Sequence, residues 1–443
     1  MMKRGLRWVL SSFGALLLAA VAVWGASRLW GVRADERAAL AQMRAGWTPP
    51  GRNGFDALWT LDYDVPAARQ RAVVDADIRT IGAWPAFGLR SADFRSAATA
   101  YPDLKPGAAD RGMWCAASKP GCLAMVAADI PAYAGLVARN ARLIARADAL
   151  AGFDHIKLRL PARADMPFPA FANAYAPATR DALLFAQGRR QEALGNVCRG
   201  IAGWRRHAAH TDMLIAGMVA DALAADGYGG LFADMLAAMP ADAPIPGECR
   251  IALAEVRPAE LSLCEAMKGE FAFADNGMRN LADSPQAPSN EVSPFARRFL
   301  FDAEATSAMY ARNIAAACGS RFAGMIARDV PLEPPAAERH WRRRFACVAN
   351  PVGCILADIA APAYASYSLR RQDFGMKLRL LGTLLWLHEN PQPGASLADR
   401  LSRRPASLTS PARALEIGEG GRRLYFRRYE ASKGGDWSQP LRP

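Results

Sequence analysis

Apolar residues are distributed along this chain in three ways, and each pattern predicts a different element. The first is an unbroken run: residues 8–27 comprise 20 positions without a charge. A helix of that length is ~30 Å long at 1.5 Å per residue, the thickness of a bilayer's hydrocarbon core. The second is spacing by three and four. Over 131–151, Leu136, Val137, Leu143, Ile144, Ala147 and Leu150 fall on one side, with Arg139, Arg142 and Arg146 on the other. That is the signature of an amphipathic helix. Weaker versions predict helices over 33–45, 67–83, 258–273, 295–318 and 364–387, and a run of helices over 179–239. The third is a pair of β-prone runs, 414–417 and 423–429, around Gly418-Glu-Gly-Gly421, which predicts a hairpin.

Between these elements lie proline-rich connectors at 161–169, 240–246, 285–294 and 330–335, and an irregular stretch over 87–122. The expected architecture is mainly α: a single transmembrane helix, then a multi-helix globular body with a small C-terminal β-hairpin. Along the chain this divides into a short cytoplasmic N-terminus (1–7), the anchor (8–27), a first exported helical region (28–170), a helical body with hairpin-like units (171–390) and a basic C-terminal segment carrying the hairpin (391–443). Residues from 432 onward read as loose. The apolar stretch 378–387 is only ~15 Å long as a helix and belongs in a core. Gly188-Arg-Arg-Gln-Glu-Ala193, leading into an apolar helix, resembles the inter-helix turn of a tetratricopeptide repeat. The resemblance covers one unit of about 34 residues and has no second copy, so a lone helical hairpin is expected.

Lys3, Arg4 and Arg7 precede the apolar run, and Trp8 and Trp24 stand near its ends. Basic residues in front favour an N-in orientation and place the rest across the membrane, although Arg28, Arg33 and Arg37 weaken that bias. The rival is a cleaved signal peptide, with Ala20-Val21-Ala22 as the small-x-small site. The run exceeds the usual apolar segment of such peptides, and an uncleaved anchor in the inner (plasma) membrane, body in the periplasm, is expected.

Composition is ordinary for a folded chain, but charge is not evenly placed. Of the net +13, residues 339–443 hold 18 Lys+Arg against 8 Asp+Glu, a difference of +10. Arginine pairs punctuate this quarter at 343–344, 370–371, 403–404, 422–423 and 427–428, a field that attracts anionic ligands. Their dispersal argues against nucleic acid. Cys115 and Cys122, and Cys347 and Cys354, share one spacing around a proline with glycine before the second cysteine. Each pair suits a disulfide worth about 2–3 kcal/mol. Cys198, Cys249, Cys264 and Cys318 leave three possible pairings. No zinc spacing and no C-x-x-C occurs, and oxidised cysteines accord with an exported body.

Other candidates reduce to structural roles. His207 and His210 with Asp212 have a metal-ligand spacing, but Thr211 or Asp212 equally suits the N-cap of the next helix. Asp75 and Asp77 resemble the paired aspartates of haloacid-dehalogenase-type phosphotransferases, yet Arg79 stands where that motif needs Thr or Val. Glu260, Glu265 and Glu270 step by five around a helix, read as solvated, and do not converge. Gly227-Tyr-Gly-Gly230 is not preceded by a strand. Walker A, H-E-x-x-H, G-x-S-x-G and S-x-x-K are absent. No catalytic residue, metal or cofactor is expected. The expected role is a scaffold or partner-binding module of the envelope; the alternative is a periplasmic hydrolase acting on an anionic envelope polymer.

Overall fold

The computed structural model describes residues 2–85, 93–116, 121–163, 165–283, 293–332, 341–360, 364–430 and 435–441. Numbering the principal helices in chain order, α1 is Met2–Trp30, α2 Ala34–Arg44, α3 Ala67–Ala83, α4 Ile130–Arg139, α5 Ala141–Leu150, α6 Ala176–Ala186 and α7 Arg190–Ala209. Next come α8 Leu214–Asp221, a π-helical stretch Ala222–Tyr228, α9 Gly229–Ala238, α10 Cys264–Asp283, α11 Pro294–Phe299 and α12 Ala303–Ala315. The last are α13 Trp341–Ala349, α14 Pro351–Ala360, α15 Ala365–Glu389 and α16 Leu397–Ser402. Strands β1 Glu416–Gly418, β2 Arg423–Arg427 and β3 Asp436–Pro440 form an antiparallel sheet in that order.

The chain is thus mainly helical, with one N-terminal helix apolar enough to cross a membrane over Trp8–Trp30. Four expectations need correcting. The helix expected over 258–273 is a 3-10 turn at Pro258–Leu261 followed, after Ser262, by α10 from Cys264, so Glu260 is not on the helix of Glu265 and Glu270. The helix expected over 131–151 is two, because it breaks at Asn140, whose Nδ2 donates to the Leu136 carbonyl and to Asp110. A short amide side chain competes in this way for backbone partners and ends helices. The helix expected over 295–318 is interrupted after Phe299; Asp302 then caps α12 through the Ala305 amide at 3.0 Å. The hairpin gains a third strand, since Leu424↔Gln439 and Phe426↔Trp437 pair where a loose tail was expected. Residues 432–434 of that tail, part of the irregular stretch 87–122 and part of the connectors at 285–294 and 330–335 lie outside the described residues.

Two cores organise the body. The larger surrounds α7, whose Leu194, Val197, Cys198, Ile201, Trp204 and Ala208 are buried at three- and four-residue intervals. It extends from Phe55 to Phe426 and takes in Leu378, Leu381 and Leu384 of α15. Glycines let the helices approach: a Cβ on Gly203 would lie 2.5 Å from the Ala151 Cβ, and one on Gly200 2.6 Å from the Tyr228 ring. α6 and α7 form the expected hairpin, turned at Gly188 with φ +87°.

The second core joins Leu40 and Met43 of α2 to Met267 and Phe271 of α10 and Tyr310 and Ile314 of α12. Arg44 clamps it, holding Asp275 through Nε and Nη2 and Glu304 through Nη1 and Nη2 at 2.7–3.0 Å. α1 is rooted beside this core. The Ser27 hydroxyl, 2% exposed, donates to the Phe345 carbonyl at 2.6 Å and accepts from the Ala349 amide at 3.1 Å. Trp24 Nε1 donates to the Phe299 carbonyl, and Arg28 pairs with Asp302.

The cysteines come together in four pairs at bonding distance: Cys115 with Cys122, Cys198 with Cys249, Cys264 with Cys318, and Cys347 with Cys354. The sheet is held by Arg413, which donates to Asp329 and Asp373 and lies 3.9 Å from the Tyr429 ring centre.

Peptide mapping of the full chain after thiol blocking without reduction should return these four linkages; eight blocked cysteines would be inconsistent with them. Arg413→Leu leaves Asp329 and Asp373 as uncompensated buried charges and should cost about 3–5 kcal/mol in urea unfolding of the detergent-solubilised chain. A loss below ~1 kcal/mol would show that the ion triad does not hold the sheet.

Candidate functional site

The residues singled out by spacing do not converge. His207 is 1% exposed, with Nε2 donating to the Leu150 carbonyl at 2.8 Å and the ring edge-on to Trp204. Burial pushes its pKa down to about 4. Asp212 does not cap α8; its Oδ1 accepts from the Leu158 amide, and burial pushes its carboxyl up to about 6. Thr211 accepts from the Met213 amide instead. Asp77, on α3, accepts from Trp59 Nε1, the Ser96 hydroxyl and the Ala97 amide, while Asp75 pairs with Arg159. The three glutamates are not simply solvated. Glu260 accepts from Arg205 and Arg257, Glu265 pairs with Lys268, and burial raises Glu270, which accepts from the Tyr364 hydroxyl at 3.4 Å.

The arginine-rich quarter is similarly spent in part on structure. Arg371 is 1% exposed, pairs with Asp221 and donates to the Glu260 carbonyl. Arg370 pairs with Glu430, and Arg404 donates to the Leu401 carbonyl. Arg403, Arg422 and Arg427 remain exposed.

Two clefts flank the edge strand β3, and Pro440 borders both. The first, of about 470 Å³, is apolar. Leu236 of α9, Leu384 and Leu387 of α15, Leu397 of α16 and Leu441 line it, with His388 and Arg400 as its polar members. His388 Nε2 is turned to the Ala243 carbonyl, and Arg400 Nη2 to the carbonyls of Leu387 and Asn390. Arg400 Nε is buried without a partner among the described residues. The cleft exists because α16 and the end of β3 stand off from the α9–α15 pair, which itself packs closely at Gly229 against Leu381.

The second cleft, of about 380 Å³, is of mixed polar and apolar lining. The π-helical stretch brings Asp226 to its floor and α9 supplies Asp234; the sheet supplies Arg423, Ser438 and Gln439, and Cys115–Cys122 forms a wall. Asp226 is held by Lys377 Nζ at 2.6 and 2.8 Å and by Trp437 Nε1 at 2.8 Å. Burial pushes the Asp234 carboxyl up, with the Arg423 guanidinium opposing. A π-turn inside a helix is frequent at functional positions. The sequence signals for this site were Gly227-Tyr-Gly-Gly230, directly after Asp226, and the arginine pair 422–423; nothing local marks Asp234. Among the described residues no group of three or more His, Cys, Asp or Glu is arranged to hold a metal.

His207 yields a pH prediction. Its folded pKa is depressed, so as pH falls from about 6.5 to about 4 only the unfolded chain takes up this proton and stability is lost. The loss approaches about 3 kcal/mol. His207→Gln keeps a donor for the Leu150 carbonyl and should flatten that limb of a plot of unfolding free energy against pH; parallel curves for the two proteins would refute the assignment.

Compared with protein-family models, curated proteins and solved structures, the chain matches none of them.

Proposed function

We propose that this is a single-pass membrane protein of the cell envelope, its body on the periplasmic side, that binds a protein partner in the apolar cleft beside β3. The observation that carries this reading is the leucine-lined cleft of about 470 Å³, open to solvent beside the edge strand β3. A groove of this kind suits the apolar side chains of a partner helix or extended segment. Four paired sets of cysteines support an oxidising compartment. The basic residues before α1 support export of the chain beyond it. Arg400, at the cleft, would meet a partner carboxylate or carbonyl.

The test places p-benzoylphenylalanine at Leu397 in the full chain within its native membranes. Irradiation should give one adduct, with the crosslinked peptide being an apolar segment of another envelope protein. Leu384→Lys should reduce the adduct at least tenfold, and the same probe at Ile251 should not form it. Absence of an adduct, or equal adducts at Leu397 and Ile251, would overturn the reading.

The second cleft favours a different reading, a hydrolase acting on an anionic envelope polymer. Its two aspartates sit in unlike surroundings: Asp234 is pushed toward its protonated form by burial, and Asp226 is held by Lys377 and Trp437. Such a division suits a general acid beside a second carboxylate in a different setting. On this reading the purified chain releases fragments from an anionic polysaccharide, and Asp234→Asn lowers the rate by ~10²–10⁴. Release unaffected by Asp234→Asn would remove the aspartate from that role.

A further inference from the structure

The exposed apolar side chains of the body are concentrated around the root of α1. Outside α1, ten large apolar side chains are exposed among the described residues. Phe295, Phe299, Val348, Ile355 and Ile359 make up half of them. All five lie on α11, α13 and α14, three short helices of 6, 9 and 10 residues. The rings of Phe295 and Phe299 are tilted against one another with centroids 4.9 Å apart, and Phe299 meets Trp24 at 6.3 Å. On α14, Ile355 and Ile359 share the outer face, 59% and 72% exposed, while Cys354 and Ala357 on the inner face are buried against Met309.

Depth decides what covers this patch. From Trp8 to Trp30 the apolar helix rises ~33 Å, slightly more than a hydrocarbon core, so Trp8 and Trp30 fall at its two boundaries. Trp24 stands six residues, ~9 Å, before Trp30 along the rod. The body nevertheless reaches back to Trp24, because the Phe299 carbonyl accepts its indole N–H at 2.9 Å. Whatever depth Trp24 has, α11 shares it. With α1 across a bilayer, α11 therefore lies at or inside the boundary between headgroups and acyl chains. α13, bonded to Ser27, lies one turn farther out. The disulfide Cys347–Cys354 ties α14 to α13. Charge agrees: Arg298 is exposed between the two phenylalanines.

We propose that α11, α13 and α14 form a membrane seat, an in-plane contact in which these apolar side chains enter the headgroup–acyl boundary of the bilayer that α1 crosses, with Arg298 favouring anionic lipid. The proposal rests on α1 as a span. The seat fixes the orientation of the body over the membrane, which a single helix with a flexible joint would leave free. Amphipathic surface helices bind membranes by this combination of a shallow apolar face and basic residues.

The test uses the full chain reconstituted in vesicles of phosphatidylethanolamine and phosphatidylglycerol. p-Benzoylphenylalanine replaces, one at a time, Leu16 within α1, Phe295 and Ile355 in the seat, and Ile251, exposed elsewhere on the body. Intact disulfides serve as the check of folding. Lipid adducts at Leu16, Phe295 and Ile355, each at least fivefold above Ile251, are the expected result. Adducts at Leu16 alone overturn the seat and leave the span standing. No adduct at Leu16 overturns the span and the seat with it. A crosslink from Ile355 to a second copy of the chain makes the patch a dimer face and overturns the proposal. Replacing phosphatidylglycerol with phosphatidylcholine should lower the Phe295 adduct several-fold; an unchanged yield removes the role of Arg298.

Discussion

Arginine bonded to the carbonyls at helix ends is the interaction that holds this structure together. Every α-helix leaves its last carbonyls without an internal partner, and a fold built from many short helices multiplies that deficit. Some of those carbonyls, such as Ile81 and Ala252, meet their arginine in buried surroundings, where an unpaired carbonyl is costly. Arg163 spans the carbonyls of Ile81, Trp84 and Pro85 after α3, and Arg206 reaches Ala151 and Phe153 after α5. Arg205 collects Ala252, Ala254 and Glu255, and Arg400 collects Leu387 and Asn390. Arg146 does the same for Thr60, Leu61 and Val65. The five donors of a guanidinium allow one side chain to close two or three carbonyls, and its charge suits the negative end of the helix dipole. Lysine, a single flexible point charge, would not serve equally.

This use of arginine changes the meaning of the net charge. Read from composition, +13 describes a cationic surface. In the fold, Arg371 and Arg413 are almost wholly buried against Asp221, Asp329 and Asp373, and others are engaged with carbonyls. The field available to an anionic ligand is smaller and more local than the count implies, and part of it stands beside the foot of α1. The two cores share the same logic of joining: Arg44 locks α2 to α10 and α12 immediately after the anchor. Movement of the anchor is thereby passed directly to the body.

The clefts were only faintly legible. Asp226 adjoins a glycine-rich stretch that attracts attention, but its partners Lys377 and Trp437 lie 151 and 211 residues away. Asp234 is perturbed by burial, against the opposing charge of Arg423, which stands on a strand whose neighbour β3 reads as a loose tail in sequence. The leucines of the apolar cleft carry a core-like pattern, and nothing local separates a leucine that packs from one that lines a groove. His207 shows the opposite case: its spacing to His210 looks chemical, and burial against Trp204 makes it a helix-end clasp.

Features that depend on neighbours within a few turns could be read directly from the residues: the apolar N-terminal helix, the boundaries of α3, the α6–α7 hairpin with its glycine turn, and the β2 strand. Periodicity and turn chemistry act at that range, so they leave a readable trace. Folding in three dimensions was needed to set the third strand, the partners of Cys198 and Cys264, and the clefts. Each depends on groups far apart in the chain, where the free energy of a contact is set by burial and geometry that no local pattern encodes. The rooting of α1 belongs to the same class, since Ser27 becomes a buried joint only when a helix more than 300 residues later arrives to share its hydroxyl.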